Sequence, residues 1–395
     1  MKILFISQDY FPQVSGVPVV VQYLAEGLAQ KGHEVSVATC RRNNDIYNEI
    51  INSVSVYRLD IYQNILKQPA GCIREYIEFV CNFECDVVIL ECTQCITSDL
   101  LIPHLDRIRA MKILHAHGFS GLTLLKNTRI FKMNNGFKHT IGHFYNWIRS
   151  WYYFSYWLPR YVKYFDCTMV LSDVDSAKEY LDNYLGERNY VLENAADDMF
   201  FCDYSSEVST IKRIITLKSS HYCFSCANYT VVKNQKQLIE QFYKADVDDL
   251  ALVCIGRIDN AYYYECKRLI EKFEKQYGYR EVHLLHGVDR KYIPLIESQA
   301  TMYLVSSTFE EYSISVIEAM AQGIPFISTN VGNSIVLPGG ITLDHIEDMH
   351  QAIRQLSKDQ TLYLTLSAKG KEYAYSHNRK QKAIDTLENI IVRNI

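Results

Sequence analysis

No apolar run in this 395-residue sequence approaches the roughly 20 residues a helix needs to cross a bilayer. The opening stretch, Met1-Lys2-Ile3-Leu4-Phe5-Ile6-Ser7, is too short in apolar residues for a secretion signal. An excess of basic charge is missing as well. Lys and Arg number 41 against 45 Asp and Glu, a net charge of −4 and a pI near 6.3. That argues against a nucleic-acid binder relying on a globally basic surface. Nor is the chain short of apolar material, as a disordered chain would be. Hydrophobic residues make up 48% and charged residues 22%, enough for a large core. The expectation is a cytosolic protein of two or three domains, at roughly 100–200 residues each.

One segment lacks a whole sign of charge. Residues 107–165 contain no Asp or Glu but ten basic residues: Arg107, Arg109, Lys112, Lys126, Arg129, Lys132, Lys138, Arg149, Arg160 and Lys163. All three tryptophans, Trp147, Trp151 and Trp157, fall within eleven residues of it, and twelve of the 22 residues from Phe144 to Phe165 are aromatic. Tyr and Trp suit a membrane–water interface because each joins an apolar body to a polar tip. Basic side chains attract anionic lipid. Together they read as helix lying on a membrane surface. The other reading is an aromatic helix packed on a sheet beside a basic loop.

Cysteine is plentiful, with twelve residues, many in apolar strand-like runs that suit reduced, buried thiols. The pairs Cys92/Cys95 and Cys223/Cys226 lie 131 residues apart, too far for the usual structural zinc spacing.

The dominant rhythm is a short apolar run, then an amphipathic segment, then another run. Strands are expected at 2–7, 34–39, 55–59, 86–91, 111–116, 167–172 and 189–193. A second series falls at 222–227, 250–256, 281–287, 300–306 and 324–329. Continuous apolar strands alternating with helices imply parallel sheets covered on both faces. The fold class read from this is α/β, two Rossmann-like doubly wound domains facing a central cleft. They cover 1–200 and 201–375, with 376–395 as a helix packing back on the first domain. Ligands of such sheets bind beyond the carboxyl ends of the strands.

The sharpest segment is TFEEYSISVIEAMAQGIPFISTNVG, from Thr308 to Gly332. Ser315 can N-cap a helix and Glu318, three residues on, completes a capping box. The helix then runs to about Gln322 and stops at Gly323. Glu310 lies on the loop before it, beside backbone N–H groups suited to phosphate.

The run E-E-Y-S-I-S-V-I-E-A-M-A-Q-G-I-P, from Glu310 to Pro325, resembles the signature of the retaining, nucleotide-sugar-dependent glycosyltransferases of the GT-B fold, family 4. The resemblance implies that Glu310 touches the donor sugar and Glu318 the ribose hydroxyls. It places Tyr312, Ser313, Ile314 and Ser315 in the phosphate loop, and Gly287 and Val288 under the base. Gly16 matches a glycine loop after the first strand, and His117, in KILHAHG, a histidine of the catalytic site. Lys233 matches the lysine that holds the donor diphosphate. Asn228 stands where the family has a clamp arginine, and Glu311 and Ser313 replace glycines. ENAADDMF, from Glu193 to Phe200, is similar to the family's hinge. No protein nucleophile, cofactor or metal is implied. Asp173-Val174-Asp175 and Asp246-Val247-Asp248 offer the D-x-D of a metal-dependent rival, though the first looks like a helix start.

The expected activity is sugar transfer from a UDP- or GDP-sugar to a lipid-linked or polysaccharide acceptor at the inner membrane face. Lys126, Arg129, Lys132, Lys138, Trp147, Arg149, Trp151 and Trp157 would meet the anionic membrane and acceptor. The alternative is a nucleotide- or partner-binding subunit of the same fold without turnover. No nucleic-acid partner is expected.

Overall fold

A computed structural model describes residues 1–13, 16–42, 46–65, 68–126, 137–207 and 215–395, and among these all side chains but those of residues 126, 137–141 and 143. It divides into two compact units, Met1–Glu193 with Ala383–Ile395, and Asn194–Lys382. The division falls at Glu193 where the sequence placed it at 200. Hydrogen bonds explain the difference: Ala196 N–H donates to the Asn378 carbonyl (3.0 Å) and Asn378 Nδ2 donates to the Asn194 carbonyl (3.0 Å). These ties hold the hinge-like segment in the second unit.

The first unit carries β1 (Lys2–Ile6), β2 (Glu34–Cys40), β3 (Asn48–Ile51), β4 (Val54–Leu59), β5 (Ile61–Gln63), β6 (Pro69–Gly71), β7 (Val87–Glu91), β8 (Met111–His115), β9 (Cys167–Val170) and β10 (Asn189–Val191). Eight of them form one sheet in the order β10-β9-β8-β7-β1-β2-β4-β3, parallel except for edge strand β3, while β5 and β6 make a hairpin. Helices α1 (Val17–Gln30), α2 (Ile73–Cys81), α3 (Ile96–Leu101), α4 (Ser120–Lys126), α5 (Phe137–Tyr152) and α6 (Lys178–Leu185) accompany it. Helix α1 stops before Gly32, whose φ of 91° no bulkier residue adopts comfortably.

The second unit has β11 (His221–Cys226), β12 (Leu250–Gly256), β13 (Val282–His286), β14 (Met302–Val305), β15 (Phe326–Thr329) and β16 (Gly340–Leu343). They form an all-parallel sheet in the order β13-β12-β11-β14-β15-β16. Its helices are α7 (Gln235–Ala245), α8 (Ala261–Tyr277), α9 (Ile293–Glu297), α10 (Ile314–Ala321), α11 (Met349–Lys358) and α12 (Gln360–His377). The last helix, α13 (Lys380–Asn394), belongs to the first unit from Ala383 onward. Its Ile384 lies against α1, where a side chain on Gly27 would come within 2.2 Å of Ile384 Cδ1. The mid-helix glycine is therefore a seat, which offsets its cost of about 1 kcal/mol relative to Ala.

Both sheets reverse their strand order once, β1 beside β7 in the first unit and β11 beside β14 in the second. A crevice opens at such a switch point, outside the strands' carboxyl ends. The apolar cores beneath are packed: Leu4, Ile6, Val88, Leu90 and Leu114 in one unit, and Phe224, Val253, Tyr303 and Phe326 in the other, are all buried.

Candidate active site

In the second unit the switch point is flanked by the loops after β11 and β14. The first carries Lys233, the second Glu310. Lys233 Nζ forms an ion pair with Glu310 Oε1. The Ser307 hydroxyl donates to the same carboxylate oxygen at 2.6 Å. The lysine's loop is pinned from below, since Ser306 Oγ donates to the Lys233 carbonyl (2.8 Å) and Thr308 N–H to the Val232 carbonyl (2.8 Å). Two residues 77 apart in sequence are thus held as one unit by short backbone ties.

Helix α10 begins two residues earlier than expected. Its N-cap is Ser313, not Ser315, and the helix ends at Ala321. Ser315 lies in the first turn, with its hydroxyl engaged by Tyr303. Glu318 does not close a capping box: its carboxylate pairs with Arg290, which the sequence reading passed over. The cap is made from outside the helix, where Asn333 Oδ1 accepts the Ser313 N–H at 2.8 Å. Gly332 permits this approach, because a Cβ there would lie 3.1 Å from the Glu311 carbonyl and 3.3 Å from Glu310 Cβ. Two buried donors at this cap, Ser313 Oγ and Asn333 Nδ2, have no protein partner. Unpaired buried donors are costly, so they mark a place where a ligand's acceptors fit.

Charge is balanced pairwise here. Burial raises the Glu318 carboxyl above its ordinary value, although Arg290 opposes it. Glu297, fully buried behind, is raised further by burial and by Glu318. Asn228 is exposed and holds the loop through its carbonyl, which accepts from Gln235 Nε2 at 3.0 Å. Gly287 has a φ of 69° and donates its N–H to the carbonyls of Gly256 and Arg257. Val288 packs on the core, and the Tyr312 hydroxyl accepts from Asn378 Nδ2 (3.1 Å). Ile314 opens α10.

In the first unit the switch point holds Gly16 and Glu91. Gly16 N-caps α1 at φ 59°, ψ −134°, a conformation reserved for glycine. Glu91 ends β7, opposite His115 in the β8 register. His117 Nε2 lies 2.5 Å from Glu91 Oε2, and His115 Nδ1 lies 3.0 Å from the same oxygen. Glu91, His115 and His117 are all buried, at 2%, 0% and 9% exposure. Burial alone would raise the Glu91 carboxyl, but the two imidazoles outweigh it and hold it down at about 2. His117 is lowered by burial and by His115, against the pull of Glu91. The sequence reading named His117 and missed Glu91; the signal was a carboxylate ending the apolar run DVVILE.

Each D-x-D motif has at least one carboxylate engaged in structural bonds. Asp175 accepts the N–H groups of Leu171 and Ala177, each at 2.8 Å, and Asp246 and Asp248 pair with Arg280. The twelve cysteines are free thiols.

The basic aromatic segment splits by face. Phe144, Tyr145, Ile148, Trp151, Tyr152 and Tyr156 are exposed, as are Arg149, Arg160 and Lys163. Phe154, Leu158, Val162 and Phe165 are buried in the core. Trp147 is half-buried, and Trp157 turns inward, stacked on Tyr153 at 4.8 Å. Arg129 and Lys132, and the side chains of Lys126 and Lys138, lie outside the described residues. No helix among the described residues is long and apolar enough to cross a membrane.

Two Rossmann-like units, each with a polar cluster at its switch point, define an α/β protein of the GT-B class. Comparison with known proteins carries this to a family. Residues 209–376 match the family model "Glycosyl transferases group 1", and residues 14–198 match "Glycosyltransferase Family 4". The chain belongs to the group 1, family 4 glycosyltransferases. No curated protein sequence matches it. Among solved structures it is similar to sucrose-phosphate synthase from Thermosynechococcus elongatus: 16% identity over 99% of this chain and 98% of that one, TM-score 0.72. It is similar to HepE from Anabaena in complex with UDP and glucose (13%, 100% of both chains, TM-score 0.71). It is also similar to WaaG, a glycosyltransferase involved in lipopolysaccharide biosynthesis (15%, 97% and 99%, TM-score 0.67).

Proposed function

We propose that this glycosyltransferase moves a hexose from a nucleoside-diphosphate sugar, UDP- before GDP-, to a lipid-linked or polysaccharide glycan, with retention and without a metal. The observation that carries this reading is the second unit's switch-point cluster. Glu310 with Lys233, and Glu318 with Arg290, flank a helix cap with two unpartnered buried donors. Each part fits a portion of the donor. Glu310 accepts sugar hydroxyls and Glu318 ribose hydroxyls. Lys233, Ser313, Asn333 and the first N–H groups of α10 face the diphosphate.

The chemistry follows from charge. Breaking the bond between the anomeric carbon and the diphosphate puts negative charge on the leaving oxygen. A fixed ammonium and fixed N–H donors stabilise it without reorganising, which is often the largest catalytic contribution. The acceptor hydroxyl attacks from the leaving-group face and gives its proton to the diphosphate, so no side-chain nucleophile is needed. His117 positions the sugar, and positioning is worth much of a barrier. Engagement of both D-x-D motifs in structural bonds supports the metal-free reading.

The exposed aromatics of α5 and the basic Arg149, Arg160 and Lys163 support peripheral contact with an anionic membrane, on the cytoplasmic side. Asn228, in place of a clamp arginine, favours a second reading: a donor-binding subunit without turnover.

The test is thermal unfolding with excess UDP or GDP and EDTA present, followed by UDP or GDP release from the matching sugar nucleotides. A ligand at ~100 times its Kd stabilises by about 2.7 kcal/mol. A Tm rise with one nucleotide and release of it fit the enzyme. A rise without release selects the subunit, and no rise with either nucleotide rejects the donor site.

A further inference from the structure

The first unit's cluster holds more than the histidine that sugar transfer uses. Eight non-glycine residues among those described have positive φ, and three of them, Cys92 (65°), Gln94 (57°) and His117 (52°), sit at the carboxyl ends of β7 and β8. Such backbone is strained and persists where surroundings over-determine it. What over-determines His117 is Glu91. The strands bring Glu91 beside His115 in register, and the left-handed turn at His117 folds its ring onto the same side, 3.8 Å between ring centres. Both imidazoles then converge on Glu91 Oε2.

An ionised carboxylate can only accept hydrogen bonds. The ring nitrogen 2.5 Å away must therefore carry the proton. A neutral imidazole protonated at Nε2 is bare at Nδ1. We propose that Glu91 is a positioning residue that locks His117 as the Nε2–H tautomer and so presents Nδ1 as the acceptor toward the reacting sugar or acceptor hydroxyl. His115 shares the task. Its Nδ1 lies 3.0 Å from the carboxylate but poorly aligned, and its Nε2 has no partner, so it acts as a filler that keeps water from Glu91 and wedges the His117 ring. Among the described residues, Asp175, itself tied to two backbone N–H groups, is a further charged group that acts on His117. An orienting carboxylate behind a histidine is a recurrent way to fix tautomer and angle. This inference rests on the proposed role of His117.

The primary experiment is long-range ¹H–¹⁵N correlation on ¹⁵N-histidine-labelled full-length protein at mildly alkaline pH, with His117→Asn identifying the signals. The expected result is a protonated Nε2 and bare Nδ1 for His117. A proton on Nδ1 overturns the proposal, and this readout needs no variant of Glu91 that folds.

Kinetics of UDP release from UDP-glucose supply the second arm. We expect Glu91→Gln to lower kcat about 10- to 100-fold, with KM moving less than roughly threefold as uniform binding is untouched. Glu91→Asp should recover part of the loss. A Glu91→Gln enzyme with unchanged kcat, where His117→Ala has lost it, overturns positioning. If instead His117→Ala is harmless and Glu310→Gln is dead, the failure lies in the role given to His117.

The same three side chains are also close enough to ligate a cation. A stoichiometric divalent metal surviving EDTA dialysis would make Glu91 a ligand and overturn the proposal.

Discussion

The two switch points share a topology and differ in how they treat a carboxylate. In the second unit, Glu310 and Glu318 each meet a full cation on a long side chain, Lys233 and Arg290. Those long side chains can swing away, so each carboxylate can exchange its cation for another partner. In the first unit Glu91 meets two imidazoles rigidly fixed to β8 and its turn, and little of it reaches solvent. That cluster has nowhere to move. One site is therefore arranged to exchange partners with a ligand, and the other to hold an angle.

The largest effect should come from breaking the exchangeable side. Glu310→Gln keeps shape and removes charge, and we expect transfer to fall about 10²- to 10³-fold. Thermal stability should change little, since the amide still accepts from the buried Ser307 hydroxyl and Lys233 stays partly in solvent. Full activity in that variant would defeat the site assignment.

Arg290→Met sharpens the comparison. It leaves Glu318, a buried carboxylate already raised by burial, without its cation. Arg290 is about half exposed, so the loss is discounted to about 1 kcal/mol in the empty protein. With saturating nucleotide the ribose hydroxyls take over as partners, and the variant's deficit should shrink. Denaturation with and without UDP measures both. A deficit that UDP leaves unchanged would separate Glu318 from the ribose.

Acid should move the two clusters in opposite directions. Glu91 is depressed to about 2, so the stability it adds is complete above its ordinary 4.5 and is lost as pH falls toward 2. His117 is lowered below its ordinary 6.5, so the fold prefers the neutral ring and loses stability as pH falls below 6.5. Glu318 and Glu297 are raised, so the fold takes their protons first and gains locally as pH drops through their range. Hydrogen-exchange protection should therefore fall in acid for 87–92 and 111–118 relative to 314–321. An equal loss of protection in both would show that the buried groups do not set the response.

Much of this was legible in the sequence, and what was not has a common cause. Every long apolar strand was expected near its observed place, from β1 to β15. The strands passed over, β3, β5, β6 and β16, are three or four residues long and mostly not buried, so they carry little periodic signal. Glu310, Glu318, Lys233 and His117 were found because a spaced motif carries them. Arg290 and Glu91 were not, because their meaning lies in partners 28 and 26 residues away that only the sheet order brings close. The capping box at Ser315 failed for a similar reason, as Asn333 from a distant turn supplies the cap.

The smallest effect concerns the basic aromatic segment, where inward and outward faces can be separated. Burial of Phe154 and Phe165 explains part of its aromatic content by packing alone, so the count of aromatics by itself proves no membrane role. The outward set does remain: Tyr145 is 65% exposed, and Arg149, Arg160 and Lys163 stand free of the core. A basic residue near an anionic surface is worth about 1 kcal/mol, roughly fivefold in binding. Replacing Arg149, Arg160 or Lys163 by Gln should each weaken flotation with anionic vesicles by about that factor, and added salt should erase the difference. Trp157→Phe, on the inward face, should leave flotation unchanged while touching stability. If the outward Gln variants float as well as the unaltered protein, packing is the whole explanation of the segment, and the acceptor must reach the enzyme without help from its surface charge.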